Sequence, residues 1–182
     1  MAQPMRSNPT FTWQDYQQLP DDGLRYEVLD GELVVSPSPL TNHQLISCNL
    51  LRRLCEQIAD PGLGKVLSAP YDVRLSDVDV VQPDLVVVLR DSLFRLGPGH
   101  LDGPPDLVVE ILSPGTARRD LGIKKERYRA FGVSEYWIVD PAAYVVEQFV
   151  LERGEYRSTG EHTASVDLHI LPGARVDLTR VW

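Results

Sequence analysis

The sequence predicts an α/β fold: one domain over residues 1–182, with a mixed β-sheet flanked by helices and a β-hairpin near the N-terminus. Three observations carry the prediction. Two stretches, about 42–59 and 117–131, repeat apolar residues at helical spacing. Between them lie three apolar, β-branched stretches, KVLSAPYDVRL, VVQPDLVVVL and PDLVVEIL. Asp30-Gly31, flanked by strand formers, marks a two-residue hairpin turn. Such alternation of amphipathic helices and strands packs as layers around one core.

Taken in order, residues 1–10 read as a loose leader. TWQDYQQL (Thr12–Leu19) reads as a short helix, capped by Thr12 with Asp15 at the third position. Pro20-Asp21-Asp22-Gly23 ends it, and RYEVLDGELVVSPSP forms the hairpin. In the first long helix, Ile46, Leu50, Leu51, Leu54 and Ile58 make one apolar stripe, and Pro61-Gly62 stops it. The three strands follow, with RLGPGHLDGPP as the loop before the third. SPGT leads into the second helix, which Gly132 ends. EYWIVDP and YVVEQFVLERG read as two more strands, and the tail VDLHILPGARVDLTRVW as short β pieces or loop.

Composition narrows the class. Hydrophobic residues make up 43% and charged residues 24%, ordinary values for a globular domain. No apolar run approaches the roughly 20 residues needed to span a bilayer. The N-terminus lacks the apolar core of a signal peptide, so a cytoplasmic protein without a membrane partner is expected. Cys48 and Cys55 would lie about 10 Å apart along one helix, too far for a disulfide. Without a CxxC motif they read as small buried apolar residues. The net charge of −8 disfavours tight non-specific gripping of DNA phosphates. It leaves room for a metal-dependent phosphodiesterase, because bound cations reset the local field.

The candidate chemistry centres on Glu110. On its strand Asp106, Val108, Glu110 and Leu112 share one face, and Leu107, Val109 and Ile111 the other. A carboxylate in such a run is costly unless it is paired or coordinated. Asp84, after Pro83, begins another apolar strand. If the two strands pair, the acids converge at one end, and converging carboxylates repel unless a cation neutralises them. Mg²⁺ is typically held by one or two carboxylates with water and phosphate oxygens. Lys124 falls on the apolar face of the second helix and needs an anionic partner there.

Each residue also has a structural reading. Glu110 reads as a strand-end acid with an arginine partner, Asp84 as a turn acid, and Lys124 as a chain that snorkels to water. His43 reads as a helix-start or core residue, and Glu27 and Glu32 as solvated hairpin acids. His100, His162 and His169 have no metal spacing, and no P-loop, Rossmann glycine fingerprint, GxSxG or HExxH is present.

The order of PD, an acid on the next strand and then a lysine resembles the PD-(D/E)XK nuclease superfamily. More narrowly, the chain resembles the Uma-type family of bacterial restriction endonucleases. The matching stretches are RYEVLDGELVVSPSP with His43, VVQPDLVVV, PPDLVVEILSPGTARRDLGIKKERY and GVSEYWIVDP, across roughly residues 25–141. The resemblance implies a restriction-endonuclease-like core, with Asp84 and Glu110 as metal-binding acids. One departure stands out: the superfamily's usual lysine position, two residues after the acid, holds Leu112. The matching lysine is Lys124 on the next helix. Carry-over of His43 and of Glu27 or Glu32 is softer.

The expected function is therefore Mg²⁺-dependent DNA hydrolysis, with Mn²⁺ as an alternative ion. Asp84, Glu110 and the Ile111 carbonyl hold the metal, Lys124 stabilises phosphate charge, and His43 or Glu27 completes the shell or positions water. A homodimer is expected because cutting both strands needs two sites. The alternative is a nuclease-fold module that binds a protein or nucleic acid without cutting. A third reading makes Glu110 and Lys124 a buried ion pair and nothing more.

Overall fold

The structure, a computed structural model, describes residues 10–36 and 38–182. The expected leader over 1–10 falls almost wholly outside these residues. A short helix α1 (Trp13–Tyr16) carries the capping box read from Thr12 and Asp15. Strands β1 (Arg25–Leu29) and β2 (Glu32–Ser36) pair as the hairpin, and φ is positive at both Asp30 (52°) and Gly31 (78°), as its tight turn requires. Helix α2 (Thr41–Ile58) buries His43, Ile46, Leu50, Leu54 and Ile58, so the predicted stripe faces the core with His43 at its start. Cys48 and Cys55 are free; contrary to expectation Cys48 is exposed and Cys55 half-buried, because both lie off that stripe.

Two predicted strands divide. KVLSAPYDVRL becomes β3 (Gly64–Ser68) and β4 (Asp72–Ser76), separated at Ala69-Pro70. VVQPDLVVVL becomes β5 (Asp79–Val81) and β6 (Leu85–Leu89), separated at Gln82-Pro83. Proline supplies no amide hydrogen to a ladder, so each run leaves one sheet there and joins another. The expected loop after β6 holds a 3₁₀ turn (Arg90–Arg95) and β7 (His100–Asp102). Strand β8 (Leu107–Ile111) follows, and then a helix in three parts: α3 (Ala117–Arg119), a π-helical segment (Asp120–Lys124) and α4 (Lys125–Phe131). Gly132, at φ 83°, ends it in the left-handed conformation.

Strands β9 (Glu135–Asp140) and β10 (Val145–Glu152) come next. Strand β11 (Glu155–His162) was not expected, because its mostly exposed sequence lacks an apolar alternation. The tail forms a ribbon of β12 (Ser165–Asp167) and β13 (Arg175–Asp177).

Among the described residues the strands form two mixed sheets beside the two-stranded ribbon, where one mixed sheet was expected. The hairpin sheet runs β2-β1-β5-β4-β7, and the central sheet β11-β10-β9-β8-β6-β3. Each is mixed, with β4 parallel to β7 and β8 parallel to β9. Strand β8 divides two cores. Leu107, Val109 and Ile111 pack with the α2 stripe and the C-terminal ribbon. Val108 packs with Leu29, Val73 and Val81 of the hairpin sheet and with Tyr128 of α4. Burying each such side chain contributes roughly 1.5–3 kcal/mol, which holds β8 central although one face carries a carboxylate. Glu110 is on the face turned to the hairpin sheet and α4. Among the described residues no helix is long and apolar enough to cross a membrane.

Candidate active site

Register brings the two acids together. Strands β6 and β8 are antiparallel with Leu85 opposite Val109, so Asp84 and Glu110, one residue further along each, meet at the same end. The crossover at Gln82-Pro83 delivers Asp84 there. Asp84 Oδ2 accepts the Ile111 amide at 2.8 Å and lies 3.1 Å from His43 Nε2. Its Oδ1 lies 3.2 Å from Arg25 Nη1. Burial works against the charged form of Asp84, but His43, Arg25 and the Ile111 amide outweigh it and hold the carboxyl below its usual range.

Glu110 is 3% and Lys124 2% exposed. Lys124 Nζ lies 2.6 Å from Glu110 Oε1, 2.9 Å from Glu27 Oε1 and 3.7 Å from Asp120 Oδ1. Tyr128 also donates to Glu110 Oε1, at 2.7 Å. The π-helical segment puts Asp120 and Lys124, four residues apart, on one inward side, and Tyr136 fixes it by donating to the Asp120 carbonyl at 3.0 Å. Single π turns inside helices are frequent at functional sites.

One ammonium does not satisfy three carboxylates. Burial, with Asp120, Asp84 and Glu27 nearby, pushes Glu110 up to about 8 despite Lys124 beside it. Burial likewise raises Asp120. For Lys124 burial favours the neutral form, but Glu110, Glu27 and Asp120 together outweigh it and raise its pKa. The lysine is therefore held as a cation, and Glu110 and Asp120 crowded around it are each harder to ionise than in water.

A cavity of about 230 Å³ opens onto all of these groups: Arg25, Glu27, His43, Asp84, Glu110, Asp120 and Lys124 line it. Of the residues read from sequence, Asp84, Glu110, Lys124, His43 and Glu27 meet here. Ile111 meets the site through its amide, which Asp84 takes. Glu32 does not; it is exposed on β2, beside the turn. Arg25, Asp120 and Tyr128 join without a site role read from sequence, although Asp120 and Tyr128 are among the residues that carry the family resemblance. By periodicity alone Tyr128 reads as an apolar-face residue, and Arg25 and Asp120 carry charges that surface residues carry equally.

In kind, the donors fit a hard divalent cation: carboxylate oxygens exceed their cationic partners. Among the described residues, no three His, Cys, Asp or Glu side chains are set as a metal-holding cluster. Arg25 and Lys124 take up those oxygens instead. Mg²⁺ needs only one or two carboxylates, so the pair Asp84 and Glu110 suffices.

The comparisons agree with this fold. A solved structure titled as a putative nuclease belonging to DUF820, from Anabaena variabilis, superposes with a TM-score of 0.77 at 18% identity. The match covers 94% of this chain and 97% of that one, and it shows that the two share a fold. A search of curated proteins finds no match. The profile of the family Uma2, described as "Putative restriction endonuclease", matches residues 13–179, a span that contains every cavity residue above, and the chain belongs to that family.

Proposed function

We propose that this chain is a Mg²⁺-dependent deoxyribonuclease that hydrolyses DNA phosphodiester bonds. The observation that carries this reading is the charge count in one cavity. Four buried acids, Glu27, Asp84, Glu110 and Asp120, face two fixed cations, Lys124 and Arg25. A buried excess of negative charge is costly and is relieved by a further cation. The family description and the nuclease fold support DNA as the substrate.

Asp84 and Glu110, with the Ile111 carbonyl, would hold the ion. When bound, it supplies positive charge to the phosphate and lowers the pKa of the attacking water. The protein's own groups do the rest. Lys124 Nζ, kept charged by Glu27 and Glu110, stabilises negative charge on the phosphate oxygens. His43, fixed through Nε2 on Asp84, orients the water at the cavity wall. Glu27 holds the ammonium in place and in turn accepts the Gln82 amide at 2.9 Å.

One observation favours a second reading. Lys124 is fully engaged by carboxylates, and Leu112 occupies the superfamily's usual lysine position. A non-cleaving module of the same fold would look like this. Incubating supercoiled plasmid with Mg²⁺ or Mn²⁺ separates the two. The nuclease reading expects nicking that Glu110→Gln and Asp84→Asn abolish. Binding without nicking, or nicking indifferent to Glu110→Gln, defeats it. Two sites acting on both strands would come from a homodimer, which sedimentation can test.

A further inference from the structure

We infer that a second cavity, behind the wall of the proposed active site, receives an unpaired or extruded nucleobase from the polynucleotide whose backbone occupies the acid cavity. This rests on the nuclease reading. The second cavity, of about 350 Å³, shares Arg25, Pro39, His43 and Asp84 with the first. A chain whose phosphate sits on one side of that wall places its neighbouring base within reach of the other.

The chemistry of the wall selects the occupant. Among the described residues, the buried side-chain atoms without a hydrogen-bond partner are Arg25 Nε, His43 Nδ1, Gln82 Oε1, Arg53 Nε and Arg74 Nε. The residues carrying the first three line this cavity, Arg25 and His43 at the wall it shares with the acid cavity and Gln82 on its own side. Unpaired buried polar groups are uncommon in folded proteins, and three of them on residues that line one space point to a ligand that pairs them. Arg25 Nε offers a donor, and Gln82 Oε1 asks for one. A phosphate has no N–H to give Gln82, and Asp21 and Asp84 on the same wall oppose an anion. A nucleobase edge carries donors and acceptors side by side. Leu24, Pro39 and Pro70 supply apolar surface for the ring faces. A base held this way has left its stack, and extrusion costs least where the base is already unpaired.

The test uses the full chain with Ca²⁺ in place of Mg²⁺, and fluorescence anisotropy of labelled duplexes. One duplex is fully matched; the other carries a single bulged 2-aminopurine. The bulged duplex is expected to bind about tenfold more tightly or better. Ser47, half-buried on α2, lines the second cavity and is absent from the lining of the first. Ser47→Trp fills the space and is expected to bring the bulged duplex down to the affinity of the matched one. Gln44→Ala, at an exposed position on the same wall, is expected to give a smaller loss of the same kind and guards against a folding defect. Equal affinity for the two duplexes overturns the inference alone, as does a preference that survives Ser47→Trp. Free 2-aminopurine deoxyribonucleoside binding as tightly as the bulged duplex makes this a small-molecule site and also overturns it. No binding to any DNA defeats it together with the nuclease reading.

Discussion

Lys124 Nζ lies 2.6 Å from Glu110 Oε1, and the same ammonium reaches Glu27, so a single cation on the helical layer ties β8 of the central sheet to β1 of the hairpin sheet. Lys124 thus has two jobs. It closes the interior between the sheets, and it presents a positive charge to the cavity. Replacing it separates them. Lys124→Met leaves buried carboxylates without their cation and is expected to cost about 3–5 kcal/mol in urea unfolding. Cleavage should fall about 100-fold or more. The double variant Lys124→Met with Glu110→Leu should recover part of the stability and none of the cleavage, because apolar groups replace a buried ion pair at little cost. A double variant that cuts DNA would leave the pair a purely structural feature.

The same crowding predicts a pH dependence in the metal-free protein. Glu110 is raised in the fold from 4.5 to about 8 by burial and by Asp120, Asp84 and Glu27, with Lys124 opposing. The folded state then holds more protons than the unfolded state between those values, so stability falls as pH rises through that window. Asp84 is shifted the other way from 3.8, so its contribution is lost only as pH falls below that value. Thermal melts in EDTA are expected to show a decreasing Tm from pH 5 to 8, and Glu110→Gln should flatten the slope. An unchanged slope in that variant would place the proton elsewhere.

Much of this arrangement is legible in the sequence, for physical reasons that differ by residue. Period-two alternation in PDLVVEIL isolates Glu110 on one face of a buried strand, and helical periodicity turns His43 and Lys124 inward. The hairpin is local chemistry, carried by Asp30-Gly31. What periodicity cannot carry is the sheet a strand joins. KVLSAPYDVRL and VVQPDLVVVL look continuous, yet each crosses between sheets at its proline. That crossing gives Asp84 its place and sets β1, with Arg25 and Glu27, beside β5. Arg25 becomes a site residue only through these long-range pairings. Asp120 likewise depends on the π-helical turn, which nothing in DLGIK announces.

A second clamp fixes the same helix one turn further on. Asp79 of β5 is fully buried, and it receives Arg127 through Nε on Oδ1 at 2.6 Å and Nη2 on Oδ2 at 2.5 Å. It also accepts the Asp30 amide at 2.9 Å and the Ser76 hydroxyl at 2.8 Å. Arg127 follows Lys124 by three residues, so this fork sets how α4 lies on the hairpin sheet. Arg127→Ala is expected to lower unfolding stability by about 2 kcal/mol, less than a fully buried pair because the guanidinium is partly solvated. The displaced lysine should reduce cleavage about tenfold or more. Arg127→Lys keeps the charge and loses the two-point grip, so it should restore stability better than cleavage. Full activity in Arg127→Ala would mean that α4 is held without the clamp.

Arg25 yields a prediction with opposite signs in two measurements. Its guanidinium pairs with Asp84 Oδ1 at 3.2 Å and also donates to the Gln82 carbonyl. Burial favours its neutral form, but Asp84, Glu110 and Glu27 outweigh burial and keep it charged. On the metal-dependent reading, Arg25 competes with the incoming ion for Asp84 and can turn to a substrate phosphate once the ion has taken its place. Arg25→Ala is therefore expected to bind Mg²⁺ or Mn²⁺ more tightly by calorimetry, by about tenfold for a competing contact worth ~1.4 kcal/mol. The same variant should bind DNA more weakly, because a phosphate loses its guanidinium. Arg25→Lys, which keeps the charge without the fork, should fall between the two for both ligands. A purely structural arginine would disturb Asp84 when removed, so that metal binding weakens. Tighter metal binding together with weaker DNA binding is the outcome that only a displaceable cation produces.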